Sequence, residues 1–107
     1  MMRPPAEFER AVLLSLIRLG DNAYGVTIRA ELEKLLGRSV SFGAVYTTLD
    51  RLEGKGFAAS SLGDPTPQRG GRAKKFFRIT REGSKALEQA KAASRAIWNI
   101  ARVRGAR

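Results

Sequence analysis

The chain has 107 residues, which is enough for one domain with a modest core but too few for two. It carries 20 Lys and Arg residues against 10 Asp and Glu, and it contains no Cys and no His. That composition excludes disulfides, thiolate zinc sites, cysteine nucleophiles and imidazole acid–base catalysis. We therefore expect no metal, no cofactor and no enzymatic activity.

The positive charge is unevenly distributed along the chain. Residues 1–53 contain seven cations and seven anions, whereas residues 54–107 contain thirteen cations and three anions. Such asymmetry points to a nucleic acid or an anionic membrane surface as the partner. No apolar run approaches the roughly 20 residues needed to span a bilayer, and no signal peptide opens the chain. We therefore expect a soluble cytoplasmic protein without membrane insertion.

Apolar residues at helical spacing predict a first helix over residues 6–19 and a second over residues 23–36. Gly20 ends the first helix, and Asp21 or Asn22 is predicted to cap the second. The residues expected to be buried from these two helices are Phe8, Val12, Leu13, Leu16, Ile17, Val26, Ile28, Leu32 and Leu35, with Leu36 as a further candidate.

A third helix is predicted over residues 42–55, with Ser41 as its N-cap. Its apolar face consists of Val45, Leu49 and Leu52. Its opposite face carries Gly43, Tyr46, Thr47, Asp50 and Arg51. Two helices joined by a short turn, the second with a polar outward face, are typical of a helix-turn-helix.

Residues 57–62 and 74–79 alternate like strands and predict a β-ribbon, in which Phe77 and Ile79 face the core. The connection Gly63–Arg72 is far longer than a tight hairpin turn requires. Six cations and no acidic residue fall within positions 69–81 of this region. A cationic loop on a β-ribbon suits contact with a polyanion.

Thr80 is predicted to cap a last helix that runs to about Val103. Small and apolar residues recur along it at alternating spacings of three and four, which is typical of a helix that packs on a partner helix. The rest of the domain is too small to cover so long a stripe, so we expect a homodimer. The predicted interface residues are Leu87, Ala90, Ser94, Ile97, Trp98 and Ala101.

Three motifs in this order resemble the PadR family of bacterial transcriptional regulators. The first is Tyr24-Gly25-Val26-x-Ile28. The second is Ser41-x-Gly43-x-Val45-Tyr46-x-x-Leu49-x-Arg51-Leu52-Glu53-x-x-Gly56. The third is Gly70-Gly71-Arg72-x-Lys74-x-Phe76-Phe77-x-Ile79-Thr80-x-x-Gly83. Thr47 stands where the family often has Pro, and Asn22 stands where it often has His.

The resemblance implies a mainly α fold with a small β-ribbon, namely a winged helix-turn-helix followed by a C-terminal dimerisation helix, as in the compact subfamily. Residues 1–80 then form the DNA-binding domain, with the wing at about 57–79. Residues 81–107 form the dimerisation helix and a basic tail. The implied function is a dimeric, sequence-specific DNA-binding regulator, expected to be a repressor relieved by a small aromatic effector.

The third helix is then expected in the DNA major groove, with the wing on flanking phosphates. Tyr46 reads bases or packs on the second helix, and Arg51 reads bases or pairs with Asp50 or Glu53. Trp98 stacks on an effector or only packs in the dimer. The residues expected at the DNA are Tyr24, Ser41, Gly43, Tyr46, Thr47, Arg51, Arg69, Gly70, Gly71, Arg72 and Lys74.

Two other functions fit the same sequence. A winged-helix module could bind RNA or DNA without sequence preference, or the last helix could pair with a different protein. A protein that is a monomer at micromolar concentration would favour the second of these. Binding to a specific DNA site that survives an excess of random duplex would exclude the first.

Overall fold

The structure is a computed structural model that describes residues 5–63 and 74–105. These residues form four helices and a two-stranded antiparallel ribbon. Their order is α1 (Glu7–Leu19), a 3₁₀ turn (Gly20–Asn22), α2 (Gly25–Leu36), α3 (Phe42–Gly54), β1 (Ala58–Leu62), β2 (Lys75–Ile79) and α4 (Arg81–Gly105). The predicted fold class is confirmed. The wing residues 64–73 lie outside the described part of the chain.

Polar side chains at the helix starts satisfy amides that have no partner within the helix. The amide of Ala44 donates to Ser41 Oγ at 3.1 Å at the start of α3. At the start of α4 the Gly83 amide donates to Thr80 Oγ1 at 3.0 Å. Both predicted caps are confirmed, and they set the entry points of α3 and α4.

The predicted cap of α2 is wrong. Residues Gly20–Asn22 form a 3₁₀ turn, and Tyr24 occupies the N-cap position of a helix that starts at Gly25. The Tyr24 amide donates to Thr27 Oγ1 at 3.0 Å. Thr27 thus satisfies the amide of the N-cap residue, and no side chain at the N-cap position accepts from the first-turn amides of α2.

The core lies where α1, α2 and α3 meet and is closed by the ribbon. Two residues predicted to be buried are instead exposed, Val26 at 58% and Ile17 at 49%. Val26 lies about 200° around α2 from the fully buried Ile28, so it points away from the core. Ile17 lies at the edge of the α1 stripe. The fully buried apolar residues are Val12, Leu13, Ile28, Leu32, Val45, Leu49 and Leu52.

The ribbon is fastened to the helices through its backbone. Ser60 pairs with Phe77, and the Phe77 ring is buried as predicted. The Phe77 amide donates to the Ala23 carbonyl at 2.9 Å, and the Thr80 amide donates to the Phe57 carbonyl at 3.0 Å. The first of these bonds fixes the base of the wing against the start of α2, and the second extends the pairing between the two strands.

Gly83 is required by the close approach of α4 to the chain that enters β1. A Cβ placed on Gly83 would lie 2.1 Å from the Phe57 carbonyl oxygen and 2.9 Å from Ile79 Cγ1. No real Cβ atom approaches a carbonyl oxygen so closely, so a larger residue would displace α4 from the ribbon.

We expect Gly83→Ala to lower the free energy of unfolding by about 1–3 kcal/mol, because the clash outweighs the better helix propensity of alanine. The matched control is Gly54→Ala, since Gly54 is also helical but nothing lies within 4 Å of the position that a Cβ would occupy there. That control is expected to raise stability by up to about 1 kcal/mol. Urea unfolding of both variants measures the difference. Equal stability of the two variants would contradict the close contact.

Candidate nucleic-acid interface

The predicted base-reading residues lie together on the solvent-exposed face of α3. Gly43, Tyr46, Thr47 and Arg51 are exposed, as is Asp50, and the predicted apolar face is buried. Only Ser41 Oγ lies within 4 Å of the position that a Cβ on Gly43 would occupy. The first turn of α3 is therefore open to a ligand that approaches closely.

The hydroxyl end of Tyr46 packs against the backbone of α2. Its hydroxyl lies over Gly25, where a Cβ would come within 2.0 Å of the oxygen. The ring remains 46% exposed. Packing on the second helix and presentation to a ligand, which the sequence posed as alternatives, therefore coexist in this geometry.

The base of the wing lies next to the start of α2. Tyr24 forms an isolated β-bridge with Phe76, and their rings meet edge to face with centroids 5.6 Å apart. The ammonium group of Lys74 lies 4.4 Å from the centroid of the Tyr24 ring. Two residues predicted to contact DNA, Tyr24 and Lys74, are thereby brought together. Tyr24 also precedes Gly25, on which Tyr46 rests, so the wing base and α3 form one continuous surface.

Four predicted wing residues lie outside the described residues. They are Arg69, Gly70, Gly71 and Arg72. Ser41 is described, and its hydroxyl oxygen already accepts a hydrogen bond from within α3.

Arg51 does not pair with Asp50 or Glu53. Its nearest carboxylate belongs to Glu9 of α1, with 3.9 Å between Arg51 Nη1 and Glu9 Oε2. Glu9 is only 3% exposed, and both of its oxygens accept hydrogen bonds from Lys55 Nζ, at 2.9 and 3.1 Å. The Ala6 amide donates to the same carboxylate at 2.9 Å. This cluster of Glu9, Lys55 and Arg51 joins α1 to the C-terminal end of the candidate recognition helix.

The surroundings of Glu9 keep it ionised. Burial alone raises the pKa of its carboxyl, but the hydrogen bonds from Lys55 and Ala6 and the charges of Lys55 and Arg51 together hold that pKa below its ordinary value. Glu9 was not predicted from the sequence, because an acidic residue in the first turn of a helix is common and gives no sign of a partner.

A groove lies between α4 and the outer face of α1. Its volume is about 680 Å³. Its lining includes Leu14 and Ile17 of α1 and Leu87, Ala90 and Trp98 of α4. Trp98 is 70% exposed. The predicted interface residues Ser94, Ile97 and Ala101 are exposed as well, whereas Leu87 and Ala90 are partly buried. Ile17 was predicted to lie in the core, and Leu14 was not predicted to line a site.

Other classes of site are not seen in the part of the chain that is described. Residues 5–63 and 74–105 contain no group of acidic side chains that could hold a metal ion. Among the helices formed by these residues, none is both long and apolar enough to cross a membrane.

The profile of the PadR-like family of transcriptional regulators matches residues 13–89, which is well over half of the chain. This protein belongs to the PadR-like family. Members of the family are DNA-binding transcription factors and not enzymes, so the predicted absence of enzymatic activity is confirmed by family membership. No curated protein matches the chain.

Solved structures support the same assignment. A PadR family regulator from Clostridium difficile is 26% identical, with a TM-score of 0.68 over 89% of this chain and 94% of its own. One from Eggerthella lenta is 25% identical, with a TM-score of 0.68 over 94% of this chain and 88% of its own. A PadR-like transcription factor from Bacteroides fragilis, at 20% identity, shares the fold with a TM-score of 0.73 over 88% of this chain and 85% of its own.

We expect Glu9→Gln to lower the free energy of unfolding at neutral pH by about 1–3 kcal/mol, because a buried charged acceptor is lost. A carboxylate whose pKa is lower in the folded state than in the unfolded state stabilises the fold at pH values above the unfolded-state pKa. This stabilisation disappears as the pH falls through the folded-state pKa. The gap between wild type and Glu9→Gln should therefore narrow below about pH 5.

Denaturant unfolding at several pH values between 7 and 3 measures this gap. Glu7→Gln is the matched control, since Glu7 lies exposed in the same turn of α1 and should change stability by less than about 0.5 kcal/mol. A Glu9→Gln gap that stays constant over the whole range would show that the charge on Glu9 is not what stabilises the fold.

Proposed function

We propose that this PadR-like protein is a homodimeric, sequence-specific DNA-binding regulator that acts in the cytoplasm as a repressor. The observation that carries the proposal is the continuous surface formed by the exposed face of α3, by Tyr24 and by Lys74 at the base of the wing. A helix in the major groove beside a cationic ribbon on the backbone is the arrangement by which such a surface meets a duplex.

In this proposal α3 reads base edges, and the wing supplies affinity and register. Tyr46, Thr47 and Arg51 contact bases, and Gly43 allows close approach. Phosphates are bound by Ser41, Tyr24 and Lys74, and by the wing residues Arg69, Gly70, Gly71 and Arg72. Residues 1–80 form the DNA-binding domain, and residues 81–107 form the dimerisation helix and basic tail.

The dimer is supported by the uncovered face of α4. All residues from Lys91 to Ala101 are exposed, and Ile97, Trp98 and Ile100 are each at least 60% exposed. A helix with such a stripe is covered most economically by the same helix of a second copy. A bound dimer that covers a promoter blocks transcription by occupancy alone, and for this reason we propose repression and not activation.

Selection of bound sequences from a random duplex pool tests the function. We expect an enriched pseudo-palindrome whose half-sites are about one helical turn, or roughly 34 Å, apart. Binding to it should survive an excess of random duplex. Enrichment of no sequence would favour a non-specific nucleic-acid binder, and a single unpaired half-site would favour a monomer whose last helix pairs with another protein.

We further propose that Trp98, in the groove between α1 and α4, stacks on a flat aromatic effector that releases DNA. The chain has one Trp, so its fluorescence reports on this site alone. A binding compound should quench that fluorescence saturably and weaken operator binding on the order of tenfold.

Trp98→Leu, which keeps an apolar side chain at the proposed dimer interface but removes the aromatic ring, should retain operator binding and lose the release of operator by the compound. Free tryptophan amide, which is quenched only by collision, is the control for non-saturable quenching. If no compound in a broad aromatic panel quenches Trp98 saturably, Trp98 serves only to pack the dimer.

A further inference from the structure

The first two turns of α3 expose an aromatic pair of which only one member was predicted to contact DNA. Phe42 is 39% exposed and Tyr46 is 46% exposed. Their rings are nearly parallel, with an interplanar angle of 22° and centroids 6.3 Å apart. Phe42 and Tyr46 are four residues apart on the helix, so together they form a continuous apolar strip on its outer face.

Each of the two rings contacts a residue of α2. The guanidinium of Arg29 lies 4.5 Å from the centroid of the Phe42 ring, and Arg29 itself is held by a 2.7 Å hydrogen bond from Nε to the Val40 carbonyl. The hydroxyl of Tyr46 lies against Gly25. The polar end of Tyr46 is thus turned towards α2, and mainly apolar ring surface faces outward.

The same two turns carry no positive charge. The first cation along α3 is Arg51, which lies in the third turn and near the carboxylate of Glu9 at 3.9 Å. The pairing of Arg or Lys with guanine, the commonest specific contact in the major groove, is therefore not available from the first two turns of α3. What these turns offer is the aromatic strip and the hydroxyl of Thr47.

We propose that Phe42 and Tyr46 read the C5-methyl groups of thymine bases and so make the protein prefer A·T pairs opposite the start of α3. The thymine methyl is the apolar group of the major groove, and apolar side chains recognise it by contact. Phe42 is then a specificity-determining residue. This inference rests on the proposed placement of α3 in the major groove.

The test uses the operator selected from the random pool. Each dT of one half-site is replaced in turn by dU, which removes only the methyl group and keeps the base pair. We expect at least one such replacement to weaken binding about fourfold, the effect of one buried methyl-sized group, when affinity is measured by fluorescence anisotropy at fixed salt. This arm uses the wild-type protein, so it does not depend on the folding of a variant.

Variants then assign the contact. The single variant that removes the contacting ring, Phe42→Ala or Tyr46→Ala, should bind the thymine and uracil operators with equal affinity. The double variant Phe42→Ala/Tyr46→Ala should do the same. Tyr46→Phe, which keeps the ring and loses only the inward hydroxyl, should retain the discrimination. Circular dichroism and thermal unfolding confirm that each variant is folded.

Two outcomes overturn the inference while the proposed function stands. In one, every dU operator binds as tightly as its thymine parent. In the other, the preference for thymine persists unchanged in the double variant Phe42→Ala/Tyr46→Ala. If the pool yields no specific operator at all, the proposed function fails first and the thymine contact fails with it.

Discussion

The buried carboxylate of Glu9 is the constraint on which the placement of the candidate recognition helix depends. The buried side chains of Leu49 and Leu52 hold α3 in the core that it shares with α1. Such apolar contacts are non-directional, so by themselves they do not define the rotation of α3 or its position along α1. The Glu9–Lys55 pair adds direction, since both carboxylate oxygens accept hydrogen bonds from one ammonium group and Oε1 also accepts one from the Ala6 amide. Removal of one partner of such a pair costs more than the pair adds in net stability, because the other charge is left buried and unpaired.

The surface proposed for DNA is built from neighbours that support one another. Gly25 provides the space in which the Tyr46 hydroxyl rests. The ring of the neighbouring Tyr24 meets the Phe76 ring edge to face, and the Lys74 ammonium group lies near the same ring. The backbone bond from Phe77 to Ala23 holds these groups in register. Because α2 thus contacts both α3 and the ribbon, the three elements present one preorganised surface, which reduces the ordering cost of binding.

Local signals in the sequence predicted most of the fold. Ser41 and Thr80 are caps whose partners lie three residues away, so a local pattern is enough to find them. The Glu9–Lys55 pair spans 46 residues and has no local signal. Val26 was misplaced because a β-branched residue beside buried positions resembles a core residue until the direction of the helix face is known. The start of α2 was predicted wrongly because Asp21 and Asn22 lie in a 3₁₀ turn, which places the N-cap position at Tyr24.

The two proposed sites meet in α1. Glu9 contacts Lys55 and Arg51 near the C-terminal end of α3, while Leu14 and Ile17 on the outer side of α1 line the groove that contains Trp98. A ligand in that groove touches α4 and α1 but not α3. The core contacts between α1 and α3 and the Glu9 cluster thus form a contiguous physical connection between the groove and the candidate recognition helix. In the proposed dimer each α4 also packs on its partner, so a displacement of α4 changes the separation of the two α3 helices and hence their fit to two half-sites.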